Sequence, residues 1–339
     1  MSERMQAVLI SQFADLDAVE VAEVDRPEPG PEEVLVGVAA VPVNYVDLVT
    51  MRGDYQFKPT LPYIPGKGPA GTVLAIGSEV TDVKVGDRVL AMAEYGGYAQ
   101  ACVVRADQVY VLPEQLSFED AAAMSLAFDT AWMALVDRAR IERGDRVLIL
   151  GASGAVGSAA VQLSRALGAR QVIAGVSRPD RFDELKSLGA DDVVDLSEAP
   201  LRETVRSRVL DLTDGHGADV VIDMLGGDPF DGAVRAVAWR GRLVIVGFAA
   251  GRIPTLKMNY VMLKNIEVSG VQISDYRKRT PDLMRRCYAQ IFEFTVAGAI
   301  APPTYDARPL SEWRSAVEDL SNRATTARLL LQPPPRLDG

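Results

Sequence analysis

Apolar and polar positions alternate in one way up to about residue 117 and in another way after it. In the first stretch, short β-branched runs such as Ala7-Val8-Leu9-Ile10, residues 34–38 and residues 71–76 stop at Gly, Pro or Asp, the mark of strands. Pro27, Pro29, Gly30 and Pro31 crowd one turn, and Pro59, Pro62, Pro65 and Gly66 another. Strands this short and this closely spaced predict a compact, largely antiparallel barrel. Ser117-Phe118-Glu119-Asp120 then reads as a helix N-cap with its acidic residue three positions on. The Ala-rich run over 121–139 that follows predicts a helix. Beyond it, apolar strands at 146–150, 171–176, 192–194, 218–224, 242–247 and 265–271 alternate with helical segments. That alternation predicts a parallel sheet covered on both faces. Between about Gly298 and Leu331 the pattern returns to short strands and one helix. The expected organisation is therefore discontinuous, with residues 1–122 and 298–339 in one domain and 123–297 in the other. There are no internal repeats, and the tail from Pro333 to Gly339 reads as disordered.

The 339 residues fit that division, being about two domains' worth at roughly 150 each. Apolar residues make up 48% and charged residues 24%, enough for two cores. Acidic residues outnumber basic ones 46 to 36, for a net charge of -10. Such a balance disfavours phosphate backbones and anionic lipid, so neither nucleic acid nor a membrane surface is an expected partner. Cys102 and Cys287 are too few for a metal cluster or a disulfide framework. Met1-Ser2-Glu3-Arg4 lacks the apolar core of a secretion signal. The longest apolar run, 34–43, falls short of the roughly 20 residues that cross a bilayer. A cytoplasmic, reduced location is the expectation.

The chemistry concentrates in Arg146-Val147-Leu148-Ile149-Leu150-Gly151-Ala152-Ser153-Gly154-Ala155-Val156-Gly157, where a buried strand runs through a Gly/Ala-rich turn into a helix. Val156, Ala160, Leu163 and Leu167 share one face of that helix. Gly154, without a Cβ, lets its backbone approach a pyrophosphate, and Gly157 lets the helix pack on the strand. The helix start offers N–H groups and a partial positive charge to phosphate. The competing reading is a tight strand–helix connection with no ligand, but strand and helix on either side favour a dinucleotide. An NAD site places Asp or Glu about 20 residues on, for the ribose hydroxyl. Here that position holds Ser177, followed by Arg178, Pro179, Asp180 and Arg181. A hydroxyl and two guanidinium groups suit a 2′-phosphate, hence NADPH. Arg178 and Arg181 as a solvated helix start, and Asp180 as a late ribose ligand, remain the alternatives.

Four separated blocks carry a family resemblance. Gly144-Asp145-x-x-Leu148 … Ala152-Ser153-Gly154-Ala155-x-Gly157 … Gln162-x-x-Arg165 resembles the signature of the quinone oxidoreductase (zeta-crystallin) family of medium-chain dehydrogenases, with Ala155 replacing the usual Gly. Gly71-Thr72-Val73 … Gly77 … Val80 … Val85-Gly86-Asp87-Arg88-Val89 is similar to that superfamily's GroES-like barrel. Ala121-Ala122-Ala123 … Thr130-Ala131-Trp132 resembles its interdomain helix, and Arg323-Ala324-Thr325-Thr326-Ala327-Arg328 its terminal return strand. The resemblance implies an α/β chain built from a GroES-like β-barrel catalytic domain and a Rossmann doubly wound parallel sheet. It implies that Ala152, Ser153, Gly154, Ala155, Val156 and Gly157 line the pyrophosphate, and that Ser177, Arg178 and Arg181 hold the 2′-phosphate. Thr130 would face the nicotinamide amide, Gly247-Phe248 would pass the ring, and Arg323 joins the coenzyme contacts. The nicotinamide would lie in a cleft against the barrel.

The resemblance also implies that Asn44 stands where zinc alcohol dehydrogenases carry a zinc-binding cysteine, a position that lines the active cleft in quinone reductases. Zinc needs about three ligands from Cys, His and carboxylate. The Gly-His-Glu of zinc enzymes is replaced by Gly66-Lys67-Gly68, and the single histidine, His216, reads as a loop residue that nothing orients. No metal is expected. Many relatives carry a tyrosine shortly after Asn44, where this chain has Val49, so Tyr45, Asp47 and Tyr55 are the nearby polar candidates. Asp129, in an otherwise apolar helix, is a candidate proton donor if it faces the cleft; the alternative is a solvated side chain. Tyr260-x-x-x-Lys264 matches the catalytic pair of short-chain reductases only as an isolated spacing.

With these residues, the resemblance implies a zinc-independent, NADPH-dependent reductase passing hydride to a quinone or to the β-carbon of an α,β-unsaturated carbonyl. Asn44, Tyr55 or water would hold the developing oxyanion. The alternative is an NADPH-binding sensor or structural, crystallin-like protein with little turnover. The strand at 265–271 reads as an apolar sheet edge, which relatives cover by pairing with a second copy, so a homodimer is expected.

Overall fold

The computed structural model describes residues 3–14, 16, 19–197 and 199–335. Met1 and Ser2 of the leader reading and residues 336–339 of the tail lie outside the described residues. Chain order is β1 (Arg4–Leu9), β2 (Glu20–Asp25), β3 (Glu33–Pro42), α1 (Tyr45–Met51), β4 (Ala70–Ile76), β5 (Arg88–Ala91), β6 (Ala101–Arg105), β7 (Val109–Val111) and α2 (Phe118–Met124). There follow α3 (Ala127–Trp132), β8 (Arg146–Leu150), α4 (Ala155–Ala166), β9 (Gln171–Val176), α5 (Phe182–Ser187), β10 (Asp192–Asp195), α6 (Leu201–Leu212), β11 (Ala218–Asp223), α7 (Gly227–Ala236), β12 (Val237–Ile245), α8 (Met258–Lys264) and β13 (Glu267–Gly270). The chain finishes with α9 (Ile273–Arg279), α10 (Pro281–Val296), β14 (Tyr305–Pro309), α11 (Trp313–Ser321) and β15 (Arg328–Gln332). Two compact units result: Met1–Leu126 with Arg277–Tyr288 and Pro302–Gly339, and Ala127–Tyr276 with Ala289–Ala301.

The first unit is built on a largely antiparallel sheet of order β14-β15-β3-β4-β5-β7, with β6 also on β3, and a separate β1-β2 pair. β3 is central because most of its ten residues are buried. Val34, Val36, Val38 and Val41 pack with Leu329, Leu331 and Trp313 in one core. The C-terminal strand lies antiparallel to β3, with Leu330 opposite Pro42 and Leu331 opposite Val41.

The second unit is a six-stranded parallel sheet of order β10-β9-β8-β11-β12-β13. Its central strands have apolar cores: Val147 to Leu150 and Val220 to Ile222 are fully buried. This is the doubly wound order of dinucleotide-binding sheets, with its switch point between β8 and β11. Each strand read from the sequence in this unit is present, with ends shifted by up to five residues.

Two expectations change. The helix expected over 121–139 is interrupted. Ser117 does cap α2, its hydroxyl accepting from the Asp120 N–H at 2.9 Å. But Ser125 turns extended and Leu126 adopts φ +63°. The Ser125 hydroxyl lies at hydrogen-bonding distance from the carbonyls of Ala122 (2.9 Å) and Gly68 (3.1 Å), a local alternative to continuing the helix. α3 then starts afresh and passes into a π-helical stretch, Met133–Arg138. The start of the tail is also tied down, since Gln100 donates to the Pro334 carbonyl at 3.0 Å and Pro333 is buried.

Candidate active site

In the second unit the turn after β8 is shaped as the glycines require. Gly151 has φ +84°. A Cβ on Gly157 would sit 2.2 Å from the Gly151 carbonyl oxygen, so only glycine lets α4 seat this closely. A Cβ on Gly154 would meet nothing nearer than 3.5 Å, and this residue is exposed. Ser158 N–H bonds back to Gly154 at 2.8 Å, so the N–H groups of Ala155, Val156 and Gly157 precede the first helical bond and have no intrahelical partner. Ala152 is buried and Ser153 half-buried beneath that opening.

Ser177 directly follows β9 and is exposed. Arg178, also exposed, grips Asp180 through Nε (3.2 Å) and Nη2 (2.6 Å). That pairing raises the Arg178 pKa and lowers that of Asp180. Arg181 is buried, with Nη2 on Glu184 at 2.6 Å and Nε without a partner.

Sequence reasoning missed Asp223. It ends β11, opposite Leu150 of β8, and is fully buried. Its Oδ1 accepts from Leu225 and Gly226 N–H at 2.8 and 2.9 Å, while Oδ2 has no partner. Burial pushes its carboxyl above the ordinary range, and the two backbone donors oppose the shift. The available signal was a carboxylate closing an apolar strand at the sheet's switch point. Val246 and Gly247 N–H bond to the Asp223 carbonyl, which sets Gly247-Phe248 beside the same strand ends. Thr130 and Asp129 are both buried on α3, which packs on α4. The Asp129 carboxylate accepts from Thr130 N–H at 2.8 Å, so the solvated alternative for Asp129 is overturned.

In the first unit Asn44 caps α1 and is buried. Its Oδ1 accepts from Arg328 Nη2 at 2.9 Å, and its Nδ2 donates to Asp47 at 3.1 Å and faces the Lys67 carbonyl at 3.5 Å. Burial pushes the Asp47 carboxyl up to about 6, against the pull of Lys67, Asn44 and Arg328. Burial also draws Arg328 down to about 10, opposed by Asp47. Lys67 Nζ bonds the Glu94 carboxylate (2.6 Å) and carbonyl (3.0 Å), and lies 4.8 Å from the Tyr95 ring centre and 6.0 Å from that of Tyr55. Glu94 also pairs with buried Arg277 at 3.3 Å. Asn44 and Tyr55 thus share one polar cluster. Tyr45 is 66% exposed and Arg323 lies in an exposed turn after α11. Lys67, Glu94, Arg277 and Arg328 are additions to the sequence reading.

The donor set does not fit zinc. At the two positions where zinc enzymes place ligands, Asn44 already holds Arg328 and the Lys67 ammonium carries no lone pair. Cys102 is buried, its thiol pushed up to about 12 by desolvation. No group of three or more His, Cys, Asp or Glu among the described residues is placed to hold a metal ion. His216 is oriented after all: Asp219 lies 2.7 Å from its Nε2. That pair sits at the start of β11, the opposite end of the sheet from the nucleotide turn. Lys264 donates to the carbonyls of Arg235 (2.5 Å) and Val237 (2.8 Å), so it serves the fold and not Tyr260.

Comparison with known proteins agrees with this geometry. Residues 30–114 match the family described as alcohol dehydrogenase GroES-like domain, and residues 155–289 the family described as zinc-binding dehydrogenase. Quinone oxidoreductase-like protein 2 of Mus musculus is 34% identical over 306 residues, covering 90% of this chain and 86% of that protein. A mycobacterial quinone oxidoreductase superposes with a TM-score of 0.90 at 29% identity, over 97% of this chain and 100% of its own. A mycobacterial protein solved in complex with NADPH superposes at 0.86, with 29% identity and coverage of 97% and 100%. Similarity over nearly the whole length, together with a nucleotide turn of this form and a donor set unsuited to zinc, places the chain in the zinc-independent quinone oxidoreductase family of the medium-chain dehydrogenase/reductase superfamily.

Proposed function

We propose that the chain is an NADPH-dependent reductase whose acceptor is a quinone or an α,β-unsaturated carbonyl. The observation that carries this is the start of α4, where three N–H groups have no intrahelical partner and a Cβ on Gly154 would meet nothing nearer than 3.5 Å. Supporting it are the NADPH complex of the mycobacterial neighbour and the absence of an acidic ribose ligand directly after β9. NADPH supplies the hydride when bound. Ala155, Val156 and Gly157 would receive its pyrophosphate on backbone N–H groups, and Ser177, Arg178 and Arg181 its 2′-phosphate. Phe248, 41% exposed on the loop beside β11, and Thr130 would orient the nicotinamide. Asn44, held by Arg328, and Tyr55 supply hydrogen-bonding groups toward the acceptor, with Asp129 as a further proton-carrying candidate. Already conjugated acceptors suit this set because hydride can enter without prior removal of an alcohol proton. Two copies would pair through β13, whose outer edge has no strand partner among the described residues, with exposed Met258, Met262 and Leu263 of α8 nearby in sequence.

The test is fluorescence titration with NADPH and NADH, followed by a turnover screen on quinones and enones. NADPH should bind more tightly than NADH, and Arg178→Ala should raise the KM for NADPH about tenfold or more while leaving that for NADH unchanged. Equal losses for both coenzymes would refute the 2′-phosphate assignment. Tight NADPH binding with no turnover on any acceptor would refute the reductase.

A further inference from the structure

We propose that Lys67 is a catalytic residue that receives the acceptor's oxygen, its ammonium holding the negative charge that arrives there. This rests on the reductase reading above. Lys67 stands between Gly66 and Gly68, whose φ values are +98° and +70°. A Cβ on Gly66 would lie 2.4 Å from the Tyr98 ring, so the loop is pressed onto Tyr98 and Lys67 is its one projecting side chain.

Lys67 is only 2% exposed, and burying a cation is unfavourable unless its charge is matched. Matching alone does not explain it. Glu94 already has Arg277 at 3.3 Å, so Lys67 is a second cation on one carboxylate. Asp47, the other carboxylate of the cluster, is bonded by Asn44, whose Oδ1 accepts from Arg328. Of the ammonium's three donors, two are taken by Glu94, and no described residue accepts the third. The half-buried rings of Tyr95 and Tyr55 flank the ammonium, with centres 4.8 and 6.0 Å away.

These features suit one event. Hydride entering the conjugated carbon of an enone or quinone forms a C–H bond with its own electron pair. The displaced π pair moves onto the carbonyl oxygen, so the acceptor is reduced and its oxygen becomes an enolate or hydroquinone oxyanion. The third N–H of Lys67 meets that oxyanion, and solvent later protonates the product. A preplaced donor in a water-poor site stabilises such charge most where it develops.

The probe is 4-nitrophenol, whose phenolate mimics the oxyanion, added to protein without coenzyme at a pH where it is neutral in solution. Wild type should show the visible phenolate band. Lys67→Met should lose it at least tenfold, and Lys67→Arg should keep most of it. With coenzyme and an acceptor, Lys67→Met should lower kcat about 100-fold and leave NADPH affinity within twofold. A merely structural Lys67 would move neither reading in a variant that stays folded by circular dichroism. No band on wild type, or an equal band on folded Lys67→Met, overturns the proposal; Lys67→Gln serves if the methionine variant does not fold. Failure of the reductase reading shows separately, as absent NADPH binding in the coenzyme titration.

Discussion

Asp47 is the residue whose environment departs most from what its type prefers. It is buried beside Lys67 and Arg328 and accepts two bonds from Asn44, yet desolvation still prevails and its carboxyl titrates at about 6 against an ordinary 3.8. The folded state therefore keeps a proton that the unfolded chain has released. Its stabilising contribution is whole below pH 3.8 and is lost as pH rises through 6, a difference of about 3 kcal/mol. Asp47→Asn should accordingly gain stability over wild type as pH goes from 4 to 7.5, by about 2–3 kcal/mol in urea unfolding. A pH-independent gap between the two proteins would refute this. At this scale the sequence was only partly legible. Asn44 was named through resemblance and Tyr55 as a nearby polar candidate, while Lys67 was read only as a missing histidine. Glu94, Arg277 and Arg328 escaped because their partners are remote: Arg328 meets Asn44 across 284 positions, and spacing rules see only neighbours.

Helix α4 and its turn show why single glycines decide an element. At Gly157 an added methyl would collide with backbone that cannot swing aside, an overpacking cost of about 1–3 kcal/mol. At Gly154 the same methyl meets no protein atom closer than 3.5 Å. Gly157→Ala should thus lose thermal stability and coenzyme affinity together, whereas Gly154→Ala should keep its Tm and lose affinity. Melting curves with NADPH titrations separate the two, and equal Tm losses would contradict the assignment. Elements with a continuous apolar run were readable, as Gln171–Val176 shows by matching the reading residue for residue. The helix over 121–139 was not, because alanine content carries no sign that Ser125 would bond Gly68, 57 positions away.

For the molecule as a whole, β13 is the decisive edge. The proposed pairing of this edge with a second copy predicts a solution mass of twice 36.6 kDa by light scattering at micromolar concentration. Met262→Glu with Leu263→Glu should shift it to one chain, and a wild-type monomer would refute the dimer. The return of β15 to β3 has another consequence, for biosynthesis. At about 5–20 residues per second, the 284 positions between Asn44 and Arg328 mean tens of seconds during which β3 waits on the ribosome without its last neighbour. Strands β8 to β13 emerge as one uninterrupted set meanwhile. The portion translated second is then the first able to close, and the portion translated first must be shielded from stray strand pairing until the final residues arrive.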